Sequence, residues 1–107
     1  MQPSISVSQL ALSSPRPILI DVRKQSARLA SGFTIAGAVQ RPPFAAESWR
    51  AEFKGQSVVV FCVHGHEVSR GVAGFLRDGG IDARILAGGF AAWCAAGKPV
   101  EPIGGTS

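Results

Sequence analysis

The sequence predicts an α/β fold built on a mostly parallel sheet. Residues 18–22 (Ile-Leu-Ile-Asp-Val) and 57–62 (Ser-Val-Val-Val-Phe-Cys) are continuous apolar runs rich in β-branched side chains. Unbroken runs of that kind suit strands covered on both faces, as in a parallel sheet. Helical patterns fall between them, and alternation of strand and helix is the mark of this class. The length, 107 residues, adds a third constraint: one domain, with a core near residues 4–101 and a frayed tail at 102–107.

Each element has its own signal. Residues 4–6 are a weak strand candidate and residues 8–13 a short helix. After the strand at 18–22, a helix is expected over 24–31, closed by Gly32. A second weak strand falls at 38–39. Residues 44–54 read as a helix, because Ala45, Trp49 and Phe53 share one face at i, i+4, i+8 and Gly55 ends the run. The strand at 57–62 is the strongest. Residues 68–77 place Val68, Val72, Phe75 and Leu76 on one helical face, stopped by Gly79-Gly80. Residues 83–86 form a shorter strand. Gly88-Gly89 opens a last helix that carries Phe90, Trp93 and Cys94 on one side, and Gly97 and Pro99 end it. Three strong and two weaker strands make a five-stranded sheet with helices on both faces.

Composition excludes several classes. Hydrophobic residues are 46% and charged residues 17%, too apolar for a disordered chain. No apolar run approaches the ~20 residues that span a membrane. Two cysteines make no disulfide framework, and no signal-peptide pattern opens the chain, so a reduced, cytoplasmic setting is expected. The net charge of +4 comes from scattered basic residues, none in a run longer than the pair Arg23-Lys24 and none with interleaved aromatics. Nucleic-acid binding is therefore not expected.

The stretch from Val58 to Arg70 carries the chemistry. An apolar strand delivers Cys62 to its carboxyl end, Val63-His64-Gly65-His66-Glu67 follows as a short polar loop, and a helix begins near Val68. Catalytic groups of open α/β sheets lie beyond the carboxyl ends of strands. A thiol beside a helix N-terminus meets free N–H groups and partial positive charge, which lower its pKa and favour the nucleophilic thiolate. The same donors hold an oxyanion or a charged sulfur. Gly65 lets the loop curl closely around one atom. The competing reading is a buried core thiol, since free cysteine is among the most buried residue types. His64, Gly65, His66 and Glu67, which come soon after Cys62, are not packing residues, which favours reactivity. Cys94, beside Trp93, reads as core.

The flanking residues divide similarly. His64 and His66 are acid/base or donor-binding candidates, or simply exposed loop residues. Asp21 is a candidate for orienting the site from the neighbouring strand end, but it reads better as a partner for its own turn or for Arg23. Arg70, one turn beyond the loop, reads as solvated or ion-paired. Cys62, His64 and His66 make a Cys-x-His-x-His pattern, yet three ligands on a curled loop splay apart, and no metal is expected.

Taken together, four segments resemble the rhodanese-like family of small sulfurtransferase domains over roughly residues 4–101. Ile18-Leu19-Ile20-Asp21-Val22-Arg23 is similar to its first strong strand, and Ile35-Ala36-Gly37-Ala38 to the turn after the next helix. Val59-Val60-Phe61-Cys62 with Gly65 is similar to the strand and active loop. Leu86-Ala87-Gly88-Gly89-Phe90 with Trp93 and Ala95-Ala96-Gly97-Lys98-Pro99-Val100 resembles the C-terminal signature.

The resemblance implies a mechanism. Cys62 takes a sulfane sulfur from a small donor as a persulfide, and a thiol, cyanide or protein acceptor removes it, with no cofactor. Backbone N–H groups of the loop from Val63 to Val68 would cradle the persulfide, with Asp21 and Arg23 as possible support. Many thiosulfate-using relatives carry Arg or a small polar residue where this chain has Glu67. A carboxylate there repels each unit of a dianion's charge by about 1 kcal/mol at ~4 Å in water, so thiosulfate is a doubtful donor, although protonated His64 and His66 would partly compensate. A cysteine phosphatase would need an arginine where Val68 stands. A redox role lacks a resolving thiol, because Cys94 reads as buried. The alternative that remains is a persulfide carrier or protein-binding module without turnover.

Overall fold

The computed structural model describes residues 3–64 and 67–103. Gly65, His66 and the tail from 104 onward, named above, lie outside the described residues.

The chain runs β1 (Ser4–Ile5), α1 (Val7–Ala11), β2 (Ile18–Asp21), α2 (Gln25–Ser31), β3 (Phe33–Ile35) and β4 (Val39–Gln40). Two 3-10 segments follow, Pro43–Ser48 and Arg50–Phe53. Then come β5 (Ser57–Phe61), α3 (Glu67–Asp78), β6 (Asp82–Leu86), α4 (Gly89–Ala95) and β7 (Val100–Pro102). Five strands form a wholly parallel sheet in the order β1-β6-β5-β2-β4. The expected fold class, an α/β domain with helices on both faces of such a sheet, is therefore what the chain forms.

β5 shows why the sheet needs two covers. Val58 and Val60 join a core with Trp49, Phe53, Val72 and Leu76, under α3 and the 3-10 segments. Val59 and Phe61 join a second core with Leu10, Ile35, Phe90 and Trp93, under α1 and α4. All four residues are fully buried. The side-chain period of two therefore feeds both layers from one apolar run.

Local chemistry fixes the helix ends. At α1, Ser6 Oγ accepts from the Gln9 amide at 3.1 Å, and the Gln9 side chain accepts from the Ser6 amide at 2.9 Å. That reciprocal pair is a capping box. Gly32 closes α2 in the left-handed region, at φ 76°.

Four expectations need correction. The helix expected over 44–54 is two 3-10 turns, because Ala45 leaves helical geometry (φ −132°, ψ 34°) and Trp49 Nε1 reaches back to the Pro42 carbonyl at 2.8 Å. Ala46, Trp49 and Phe53 are the inward residues, rather than Ala45. A two-stranded antiparallel ribbon, β3 with β7, was not expected. It also ties down the start of the supposed tail: Pro102 pairs with Phe33, and the Ile103 amide donates to the Gly32 carbonyl. Finally, Cys94 is exposed. Phe90 and Trp93 point into the core, and one further residue, about 100° around the helix, carries position 94 out of it. Among the described residues, no helix is long and apolar enough to cross a membrane.

Candidate active site

The sheet order creates the site. From β2 the chain proceeds outward to β4; from the adjacent β5 it proceeds the other way, to β6. The connections leaving β2 and β5 therefore diverge, and a crevice opens above the carboxyl ends of the two strands, the usual ligand position in such sheets. A cleft of about 580 Å³ occupies this place. Arg23, Lys24, Ser26 and Ala27 line it from the β2 side, and Cys62, Val63, His64, Glu67, Val68 and Arg70 from the β5 side.

Cys62 stands one residue beyond β5. The alternation of β5 sends this position to the α3 side of the sheet, as for Val58 and Val60. There its Sγ is hydrogen-bonded to Ser69 Oγ at 3.3 Å. Cys62 is 7% exposed, so the sulfur lies at the floor of the cleft rather than on its rim. Sequence reasoning missed Ser69. The signal available was its position, seven residues after the cysteine in the first turn of the next helix.

The base of the loop is anchored from the other side. The first free amides of α4 take up the loop's carbonyls: Phe90 N–H donates to Cys62 O and Ala91 N–H to Val63 O, each at 2.9 Å. Orphan donors at a helix start are thereby satisfied, and the strand end is held at two successive peptides. The Val22 amide adds a bond to Phe61 O at 3.0 Å.

Asp21 is committed to a structural network. It accepts from the Arg23 backbone amide (3.0 Å), Arg23 Nε (3.0 Å), Arg23 Nη2 (2.8 Å) and Thr34 Oγ1 (2.9 Å), and Arg28 Nε lies at 3.4 Å. Arg23 also donates to Phe33 O (2.7 Å) and Ser31 Oγ (3.0 Å), and its guanidinium lies over the Phe90 ring at 4.1 Å. Asp21 and Arg23 are each only 1% exposed. The pair joins β2 to α2 and β3, and it braces Phe90, whose amide holds the Cys62 carbonyl.

The charges left facing the cleft are Lys24, Arg70 and Glu67, two cations and one carboxylate. Arg70 is exposed, and among the described residues no carboxylate lies within ion-pair distance of it. His64 is exposed at the same wall. Among the described residues, no group of three or more His, Cys, Asp or Glu is placed to hold a metal ion. The arrangement can present one sulfur to a ligand that enters from solvent, under a field that is net positive despite Glu67.

The comparisons with known proteins agree with this architecture. No curated protein matches the chain. Among solved structures, a rhodanese-related protein from Thermoplasma volcanium is similar at 25% identity and a TM-score of 0.81, covering 92% of this chain and 97% of its own. A rhodanese-like domain protein from Staphylococcus aureus is also 25% identical, with a TM-score of 0.79 and coverage of 96% and 100%. A thiosulfate sulfurtransferase from Pseudomonas aeruginosa shares the fold at 21% identity and a TM-score of 0.77; the match covers 95% of this chain but 20% of that one. The family model described as a rhodanese-like domain matches residues 6–96. With that span, the large majority of its length, the chain belongs to the rhodanese-like domain family.

Proposed function

We propose that the protein is a sulfurtransferase that moves a sulfane sulfur from a small donor to a thiol, cyanide or protein acceptor through a persulfide on Cys62. The observation that carries this reading is the placement of Cys62, at a strand's carboxyl end, on the floor of a cleft where two connections diverge. In the first step the Cys62 thiolate attacks the outer sulfur of the donor, the new S–S bond forms on Sγ, and the donor remnant leaves with the electron pair. In the second step an acceptor removes that sulfur and regenerates the thiolate. Dividing one transfer into two easier displacements is the benefit of the covalent intermediate. The likeness to a thiosulfate sulfurtransferase fold supports the reaction class. Glu67 at the cleft wall disfavours a dianionic donor, while Lys24 and Arg70 partly offset it.

The competing reading is a carrier or docking module of the same fold. Incubation with thiosulfate, polysulfide or mercaptopyruvate, followed by mass spectrometry, separates transfer from docking, and repeated discharge of the loaded sulfur to a thiol acceptor separates transfer from a carrier. An added mass of about 32 Da on Cys62, one sulfur atom, absent from Cys62→Ser, is the expected result. A wild-type protein that gains no mass from any of the three donors overturns the transferase reading in favour of the docking module.

A further inference from the structure

We propose that Ser69 is a positioning residue that holds the Cys62 sulfur as the leaving group when the persulfide is discharged; this rests on the sulfur-transfer reading above. Ser69 is fully buried in α3, and its Oγ lies 3.3 Å from Cys62 Sγ. A hydroxyl is both donor and acceptor. It accepts from the thiol and turns to donate to the thiolate, where the bond becomes charge-assisted and stronger.

Loading moves the charge. In the persulfide the ionisable group is the outer sulfur, one bond farther from Ser69, and Sγ becomes a neutral divalent sulfur that accepts hydrogen bonds weakly. Discharge reverses this. For an acceptor thiolate, RS⁻ + Cys62–S–SH → RS–SH + Cys62–S⁻. The bond between R–S and the outer sulfur forms, the bond between Sγ and the outer sulfur breaks, and the electron pair stays on Sγ. Negative charge therefore grows beside the Ser69 hydroxyl as the transition state is approached. A contact stronger there than in the ground state accelerates the step. Loading runs the other way, so Ser69 does not speed attack by a thiolate already formed. Among the described residues, the other charged or titratable groups lining the cleft are Arg23 with its partner Asp21, and Lys24, His64, Glu67 and Arg70. Ser69→Ala leaves all of them in place.

The test follows the two half-reactions separately. Wild type and Ser69→Ala, each in a Cys94→Ala background so that the exposed second thiol adds no mass, are loaded with polysulfide at pH 9, then challenged with dithiothreitol, and the mass of the intact protein is read against time. The expected result is discharge about tenfold slower in Ser69→Ala, with loading not slowed. The iodoacetamide pH profile of Cys62 should also move to higher pH. Ser69→Thr, which keeps the hydroxyl, should restore both. Alanine removes one atom and favours the helix, so the comparison stands even if the threonine methyl is not accommodated. Equal discharge rates in wild type and Ser69→Ala overturn the inference, as does equal slowing of both half-reactions with an unmoved pH profile, which marks a purely structural effect. Failure of wild type to load overturns the transfer reading instead.

Discussion

Two neighbouring strands, β2 and β5, end side by side, and the residues just past them behave in opposite ways. At the end of β2, Asp21 and Arg23 close on each other and recruit Thr34, Ser31 and the Phe33 carbonyl. After β5, Cys62 has its backbone tied to α4 and its sulfur turned to the cleft floor. The first end saturates its polar groups; the second fixes the main chain and presents the side chain. Rigid support beside a presented side chain is what the transfer proposed above requires. The two ends are also linked, since Arg23 lies over Phe90 and the Phe90 amide holds Cys62 O.

The sharpest way to break this comparison is to remove the charge that Arg23 needs. Asp21→Ala leaves a buried guanidinium without its carboxylate, and uncompensated buried charges of this kind cost about 3–5 kcal/mol. Denaturant unfolding should show a loss of that size, while Cys62→Ser changes stability far less. A loss below about 1 kcal/mol would mean the network is ornamental to the fold.

A smaller effect is expected at the cleft wall. Glu67→Arg should raise kcat/KM for thiosulfate by about tenfold or more, since reversing one charge at ~4 Å in water shifts the interaction by about 2 kcal/mol for each unit of donor charge before salt screening. An unchanged value would show that charge does not limit donor choice. The smallest effect belongs to the other thiol. Cys94 is exposed, so Cys94→Ala should shift stability by less than about 0.5 kcal/mol and leave sulfur transfer intact. Loss of transfer in that variant would bring a second sulfur into the reaction.

What was legible in the sequence follows from where the information resides. β2 and β5 announce themselves because a buried parallel strand writes its burial into consecutive residues. Cys62 was visible because a thiol at the end of such a run is followed by polar residues. The β3–β7 ribbon was not, because three-residue strands gain their identity only from a partner far along the chain. Ser69 was not singled out because its meeting with Cys62 depends on how α3 lies across β5. Cys94 misled for the opposite reason: its neighbour Trp93 is fully buried, and one helical step separates the core from solvent. The 3-10 turns before β5 share the spacing of a helix at Trp49 and Phe53 without its backbone.

The account depends on Cys62 being held as a thiolate near neutral pH. Its alkylation rate by iodoacetamide, followed against pH in a Cys94→Ala background so that one thiol remains, reads this directly. The rate should rise to its plateau with a midpoint well below the ~8.5 of a free cysteine. A midpoint at or above that value, or a sulfur that does not react at all, would contradict the account.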